Sequence, residues 1–112
     1  MKLFSVEIAQ RSDGFEAVLA GEVDMSTVGE LEKRLKDALE DSPKMVVLDL
    51  RQVTFLDSSG LRLILRVNKH QEEMGGRMVL VRGGRRVERV LEITGADREL
   101  AQVDDPSELA AS

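Results

Sequence analysis

The sequence predicts an α/β domain, a mixed and mostly parallel β-sheet with about four helices. Two apolar runs that read as buried strands, Met45–Leu50 and Arg77–Val81, alternate with segments of helical periodicity, and the helices have start and stop signals. Strand–helix alternation of this kind calls for parallel strands joined by helical crossovers. At 112 residues the chain has the length of one domain, so residues 1–112 read as a single unit.

Each element has its own signal. Leu3, Ser5, Glu7 and Ala9 interleave with Phe4, Val6, Ile8 and Gln10, the period-2 pattern of a strand with one wet face. Ser12-Asp13-Gly14 is a turn cluster and Phe15–Ala20 reads as a second strand, so the chain opens with a hairpin. Thr27-Val28-Gly29-Glu30 has the form of a capping box, in which a hydroxyl and a carboxylate satisfy free N–H groups at a helix start. Val28, Leu31, Leu35, Ala38 and Leu39 then form one helical stripe, with Glu32, Lys33, Lys36 and Glu40 outside it, and Pro43 ends the helix. Met45–Leu50 is apolar almost throughout, as expected of a central strand covered on both faces. Val53, Phe55 and Leu56 lead to a second helix from Ser58 to Met74, which Gly75-Gly76 terminates. After Arg77–Val81 and the break at Gly83-Gly84, Val87, Val90, Leu91 and Thr94 mark a third helix ending at Gly95. Gln102–Asp104 reads as a short last strand, and Pro106–Ala111 as a helical tail with proline in its first turn.

Composition narrows the function. With 42% hydrophobic and 33% charged residues the chain can bury a core, and folding at this length removes roughly two-thirds of its surface from water. There is no cysteine, which excludes disulfides and cysteine-ligated zinc and fits a reducing cytoplasm. A net charge of −5 argues against binding nucleic acid through its phosphates. Residues 1–10 carry polar positions among the apolar ones, unlike a signal peptide, and no run approaches the ~18 apolar residues of a membrane span. The expectation is a cytoplasmic domain without a membrane partner.

The chemically interesting junction is Leu56-Asp57-Ser58-Ser59-Gly60-Leu61, where strand, loop and helix meet. A helix start presents up to four unsatisfied N–H groups and the positive end of the dipole, which suit an anion. Gly60 lets another surface approach the backbone. In isolation, the tetrapeptide reads first as an Asp or Ser helix cap, since both residues are common there. A serine hydrolase does not fit, because the first glycine of G-x-S-x-G is missing. The only histidine, His70, lies twelve positions from Ser58 on the same helix, about 18 Å along its axis, out of reach as a base. It reads as a solvated helix residue. Arg82-Gly83-Gly84-Arg85-Arg86 is basic and glycine-rich but lacks the phosphate-loop pattern, so it reads as a solvated loop. Arg85, Arg86 and Arg89 oppose the dipole at their helix start, which an acidic patch on a partner would explain. Met25, Met45, Met74 and Met78 read as core or border fillers. Glu22, Asp24 and Asp57 read as caps and surface charge rather than an Mg²⁺ site. No catalytic residue, cofactor or metal is expected.

Two segments carry a family likeness. Gly21-Glu22-Val23-Asp24 closes the second strand, and Val53-Thr54-Phe55-Leu56-Asp57-Ser58-Ser59-Gly60-Leu61 follows the third. Together they resemble the two signature stretches of the anti-sigma factor antagonists of the STAS superfamily, G-E-(L/V)-D and apolar-D-S-(S/A)-G-L. Gly75-Gly76 before a strand, and Val87, Arg89, Leu91 and Gly95, extend the likeness over residues 3 to 105. The resemblance implies a single STAS domain over residues 1–112 that works as a partner switch. In such a switch the unphosphorylated antagonist binds an anti-sigma factor that is also a serine kinase, and so frees the sigma factor. The kinase phosphorylates the first serine of the stretch, here Ser58, and a PP2C-type phosphatase restores the active form. The binding face would hold Glu22, Asp24, Asp57, Ser58, Ser59, Gly60 and Arg62. Arg62 departs from the family's usual small residue, which bears on partner choice, and Ala96 replaces a larger apolar residue, which bears on packing. Other STAS members are scaffolds in stress-sensing complexes or subunits of lipid transporters, the alternative implied by the same likeness.

Overall fold

The structure, a computed structural model, describes residues 3–109. Its elements follow the order β1 (Phe4–Arg11), β2 (Gly14–Val23), α1 (Val28–Leu39), β3 (Met45–Leu56), α2 (Ser58–Glu73), β4 (Arg77–Val81), α3 (Arg85–Thr94) and β5 (Ala101–Val103). Single 3₁₀ turns lie at Ala96–Arg98 and Pro106–Glu108. The five strands form one sheet in the order β1-β2-β3-β4-β5. β1 and β2 pair antiparallel, and every other pair is parallel. Strands laid down in chain order with right-handed crossovers place all the helices on one face. Side-chain alternation shows this directly. Val46, Leu48 and Leu50 of β3 join one core with Leu31 and Leu35 of α1, Leu63, Ile64 and Val67 of α2, and Val87 and Leu91 of α3. Each fully buried leucine among them contributes about 2 kcal/mol of apolar transfer.

The opposite face is closed by other means. Val47, Val79 and Val81 are buried outside that core, beside the buried carboxylate of Asp49. The chain after β5 returns over them. Asp105 interacts with Arg51, and Arg11 donates through Nη2 to the Leu109 carbonyl at 3.2 Å. Asp49 accepts from Arg51 Nη2 at 2.8 Å and from the Arg51 backbone N–H at 3.0 Å. Burial pushes the Asp49 carboxyl up, but the Arg51 guanidinium and N–H outweigh it and hold it below its usual range.

Several expectations are corrected here. Among the described residues there are three α-helices and two 3₁₀ turns, rather than about four helices. The helical tail stops at Glu108, because Asp105 and Glu108 close a capping box around a single turn. Its last residues, Ala110 and Ala111, lie outside the described residues. The last strand sits one residue earlier than expected, at Ala101–Val103. β3 does not stop at Leu50 but runs to Leu56, because Gly21, Glu22 and Val23 of β2 pair with Val53, Phe55 and Leu56 beyond a bulge. Gly21 stands between the two register shifts with φ of +90°, where any Cβ would strike the Leu3 carbonyl, while the extra residues of both shifts lie on β3. Thr27 does not close a capping box over α1, since its side chain makes no cap hydrogen bond. Buried at 2% exposure, its hydroxyl turns back into the preceding loop, donating to the Glu22 carbonyl at 2.8 Å and accepting from the Asp24 N–H at 3.0 Å.

Candidate partner-docking and phosphorylation site

Two loops at the carboxyl end of the parallel strands build the site. The β2–α1 loop holds Asp24, Met25 and Ser26, and the β3–α2 junction holds Asp57. The bulge and the Thr27 hydroxyl fix the first loop. The second is pinned where the Asp57 N–H donates to the Val23 carbonyl at 3.1 Å.

Asp57 is the hub. As N-cap of α2, its Oδ1 accepts from the Ser59 N–H at 2.9 Å, the Gly60 N–H at 3.1 Å and the Ser59 hydroxyl at 2.6 Å. Its Oδ2 accepts from the Met25 N–H at 3.2 Å, which ties the two loops together. Partial burial pushes this carboxyl up, but those donors outweigh it and hold it below the ordinary value of 3.8. Asp24 accepts through Oδ1 from the Ser26 hydroxyl at 2.6 Å and the Ser26 N–H at 2.9 Å. Its carboxyl is lowered chiefly by that hydroxyl, against an opposing push from the Asp57 charge. Both carboxyls therefore stay ionised until well into the acid range. Their contribution to stability is complete above the unfolded value near 3.8 and is lost as pH falls through the depressed folded values. Urea midpoints should be flat through neutrality and fall below about pH 4, with a shallower acid fall in Asp57→Asn.

The two serines differ. Ser59 is half-buried with its hydroxyl committed to Asp57. Ser58 is exposed, and neither its hydroxyl nor its N–H makes a hydrogen bond among the described residues. The supply of free N–H groups expected at this helix start is thus smaller than the sequence suggested. Asp57 already occupies those of Ser59 and Gly60.

Gly60 is placed differently from expectation. It is buried, and a Cβ there would lie 2.7 Å from Leu56 Cδ1 and from Val23 Cγ1, and 3.0 Å from the Val23 carbonyl oxygen. Its bare Cα lets α2 pack onto β2 and β3, and it offers nothing to the exterior. Arg62 is exposed on the next turn of α2, and Glu22 is exposed at the end of β2. The sequence reading missed Met25, which stands 81% exposed between the two carboxylates instead of filling a border. Met74 is likewise exposed, while Met78 is buried and Met45 is half-buried. Beside the junction, Phe55 and Leu56 floor a groove of about 290 Å³ whose other wall is Arg86, Arg89, Val90 and Ile93 of α3. It exists because β4 ends level with Asp49, leaving the last residues of β3 facing α3. His70 lies away from all of this, in a groove between α1 and α2. Among the described residues no cluster of acidic or histidine side chains could hold a metal, and no helix is long and apolar enough to cross a membrane.

Comparison with known proteins gives this geometry a family. The STAS domain family matches residues 7–110. Over 105 residues the chain is 28% identical to the anti-sigma-B factor antagonist of Staphylococcus aureus, covering 94% of this chain and 96% of that one. An anti-sigma factor antagonist from Mycobacterium paratuberculosis superposes with a TM-score of 0.85 at 25% identity, covering 94% of this chain and 89% of that one. The antagonist SpoIIAA, solved in unphosphorylated and phosphorylated forms, superposes with TM-scores of 0.77 and 0.70. Its identities of 21% and 20%, over 95% of this chain and 92% and 96% of those chains, make this a likeness of fold. With the family match running over nearly the whole described chain, and with the relatives named above called anti-sigma factor antagonists, the protein belongs to the STAS domain family.

Proposed function

We propose that this protein is an anti-sigma factor antagonist without enzymatic activity, acting in the cytoplasm. Unphosphorylated, it binds an anti-sigma factor serine kinase and so releases the sigma factor. Phosphorylation at Ser58 abolishes that binding, and a PP2C-type phosphatase reverses it. The observation that carries this reading is the contrast between the serines: an exposed, uncommitted hydroxyl at Ser58 beside a half-buried one that Asp57 already holds. A kinase must reach the oxygen it phosphorylates, and of these two serines Ser58 is the one that presents its hydroxyl at the surface. The names of the relatives and the match of Asp24 and Ser58 to the family's signature stretches support the same partner class.

The docking face in this reading consists of Glu22, Asp24, Met25, Asp57, Ser58 and Arg62, with Ser59 and Gly60 acting from beneath. Asp24 and Asp57 supply negative charge that complements a basic patch on the partner. Asp24→Asn and Asp57→Asn should melt within a few degrees of the parent and lose about tenfold in kinase affinity. Asparagine at 57 keeps one oxygen for the Ser59 and Gly60 N–H groups, but its amide cannot accept from Met25. The first loop is therefore released while the junction loses its charge. Titration calorimetry beside thermal melts decides the matter, and unchanged affinity in both variants contradicts the assignment of this face.

A further inference from the structure

We infer that Arg62 is a positioning residue for the phosphorylated state, holding the Ser58 phosphate against its own helix. The inference rests on the reading of Ser58 given above and goes beyond it, since that reading needs only the serine and the partner.

A phosphate on Ser58 enters an awkward place. It brings about −1.5 to −2 charges at neutral pH. The N–H groups of Ser59 and Gly60, which would ordinarily receive an anion at a helix start, are already bonded to Asp57 Oδ1. Asp57 and Asp24 are ionised nearby, with carboxyls lowered from 3.8. Of the backbone donors at this helix start only the N–H of Ser58 itself is left uncommitted among the described residues, so the phosphate needs a cation.

Arg62 meets the need by helical geometry. It stands four residues after Ser58 in α2, so the two side chains lie on one face a turn apart. Side chains on a helix lean toward its N-terminus, and a long one at position i+4 covers the surface over residue i. The order is the favourable one, anion toward the N-terminus and cation one turn later. Arg62 is exposed and makes no ion pair among the described residues. Arg66, the next arginine along the helix, is turned to Glu32 at 3.6 Å. A guanidinium fork matches the phosphate oxygens with paired N–H donors. The phosphorylated form thus carries a clamp that the unphosphorylated form leaves open, and the dianionic phosphate is the species it favours.

The second ionisation of the phosphate reads this out directly. Phosphoserine is placed at position 58 during synthesis by codon expansion, so no kinase is needed, and the phosphate is titrated by ³¹P NMR. Its second pKa in the parent should lie about half a unit below that in Arg62→Gln. Arg62→Lys should keep part of the difference, and raised salt should shrink the gap between the parent and Arg62→Gln. Arg62 is exposed, so these variants fold. Equal titration of the parent and Arg62→Gln overturns the inference even if a kinase labels Ser58. A clear difference sustains it even if Ser58 proves not to be the residue a kinase modifies.

Discussion

Ser58→Asp will fold with a melting point close to the parent's and will bind the anti-sigma kinase about a hundredfold more weakly. The side chain is exposed at the first residue of α2, where a negative charge sits favourably on the helix dipole, so the fold has no reason to object. Binding is another matter. The docking face already carries Asp24 and Asp57, and the structure commits the nearby backbone donors to Asp57 rather than leaving them for a new anion. A partner whose basic groups are already paired with Asp24 and Asp57, and whose surface at position 58 is shaped for a neutral hydroxyl, meets bulk and a charge with no counter-charge left to match it, a mismatch of about 3 kcal/mol in a desolvated contact. Ser58→Ala should bind as the parent does and refuse phosphate, leaving the sigma factor free. Calorimetry of both variants with the kinase checks the pair. Parental affinity in Ser58→Asp would show that charge at this position is not what ends the complex.

Gly60→Val should lower the thermal midpoint by about 10 °C, the size of an overpacking penalty near 3 kcal/mol in a domain of this length. The reason is steric rather than conformational. A Cβ at Gly60 meets side-chain carbons of Leu56 and Val23 at 2.7 Å and the Val23 carbonyl oxygen at 3.0 Å, and the backbone atom cannot swing away. The start of α2 must then lift off the sheet and carry Asp57 with it, so the tie to Met25 is lost and kinase binding falls together with stability. Gly29 provides the control. It lies in α1 with nothing within 4 Å of its Cβ position, so Gly29→Ala should stabilise the protein by about 0.5–1 kcal/mol through helix propensity alone. Differential scanning calorimetry separates the two. Near-equal melting of Gly60→Val and the parent would mean that α2 does not pack on β2 as described.

What could be read in advance follows the range of the forces involved. Strand runs such as Met45–Leu50 and the stripe of Leu31 and Leu35 declare themselves because their spacing reports burial along one element. The junction at Asp57–Gly60 was legible for the same reason, since capping chemistry is local. The misses are all non-local. β3 runs six residues past Leu50 because β2 supplies partners across a bulge, which nothing inside Arg51-Gln52-Val53-Thr54 announces. Thr27 has the right neighbours for a capping box, yet its hydroxyl finds the Glu22 carbonyl and Asp24 N–H once the loop folds back. Asp49 looks like an interruption in an apolar run until Arg51, two residues on along the same strand, turns its guanidinium onto it. Gly60 faces inward and Met25 outward because of where β2 ends relative to α2, a tertiary fact.

The most direct test is a phosphosite map made with the anti-sigma kinase of the same genome, ATP and Mg²⁺, followed by the affinity of the kinase for each form. A single phosphate on Ser58, none on Ser59, and at least about a hundredfold loss of affinity on phosphorylation is the predicted result. Phosphate on Ser59 would mean that the hydroxyl bound to Asp57 is the one reached, contrary to the geometry of the site. No phosphate on either serine, with undiminished binding by Ser58→Asp, would contradict the switch itself and leave this STAS domain to a scaffold or a transporter.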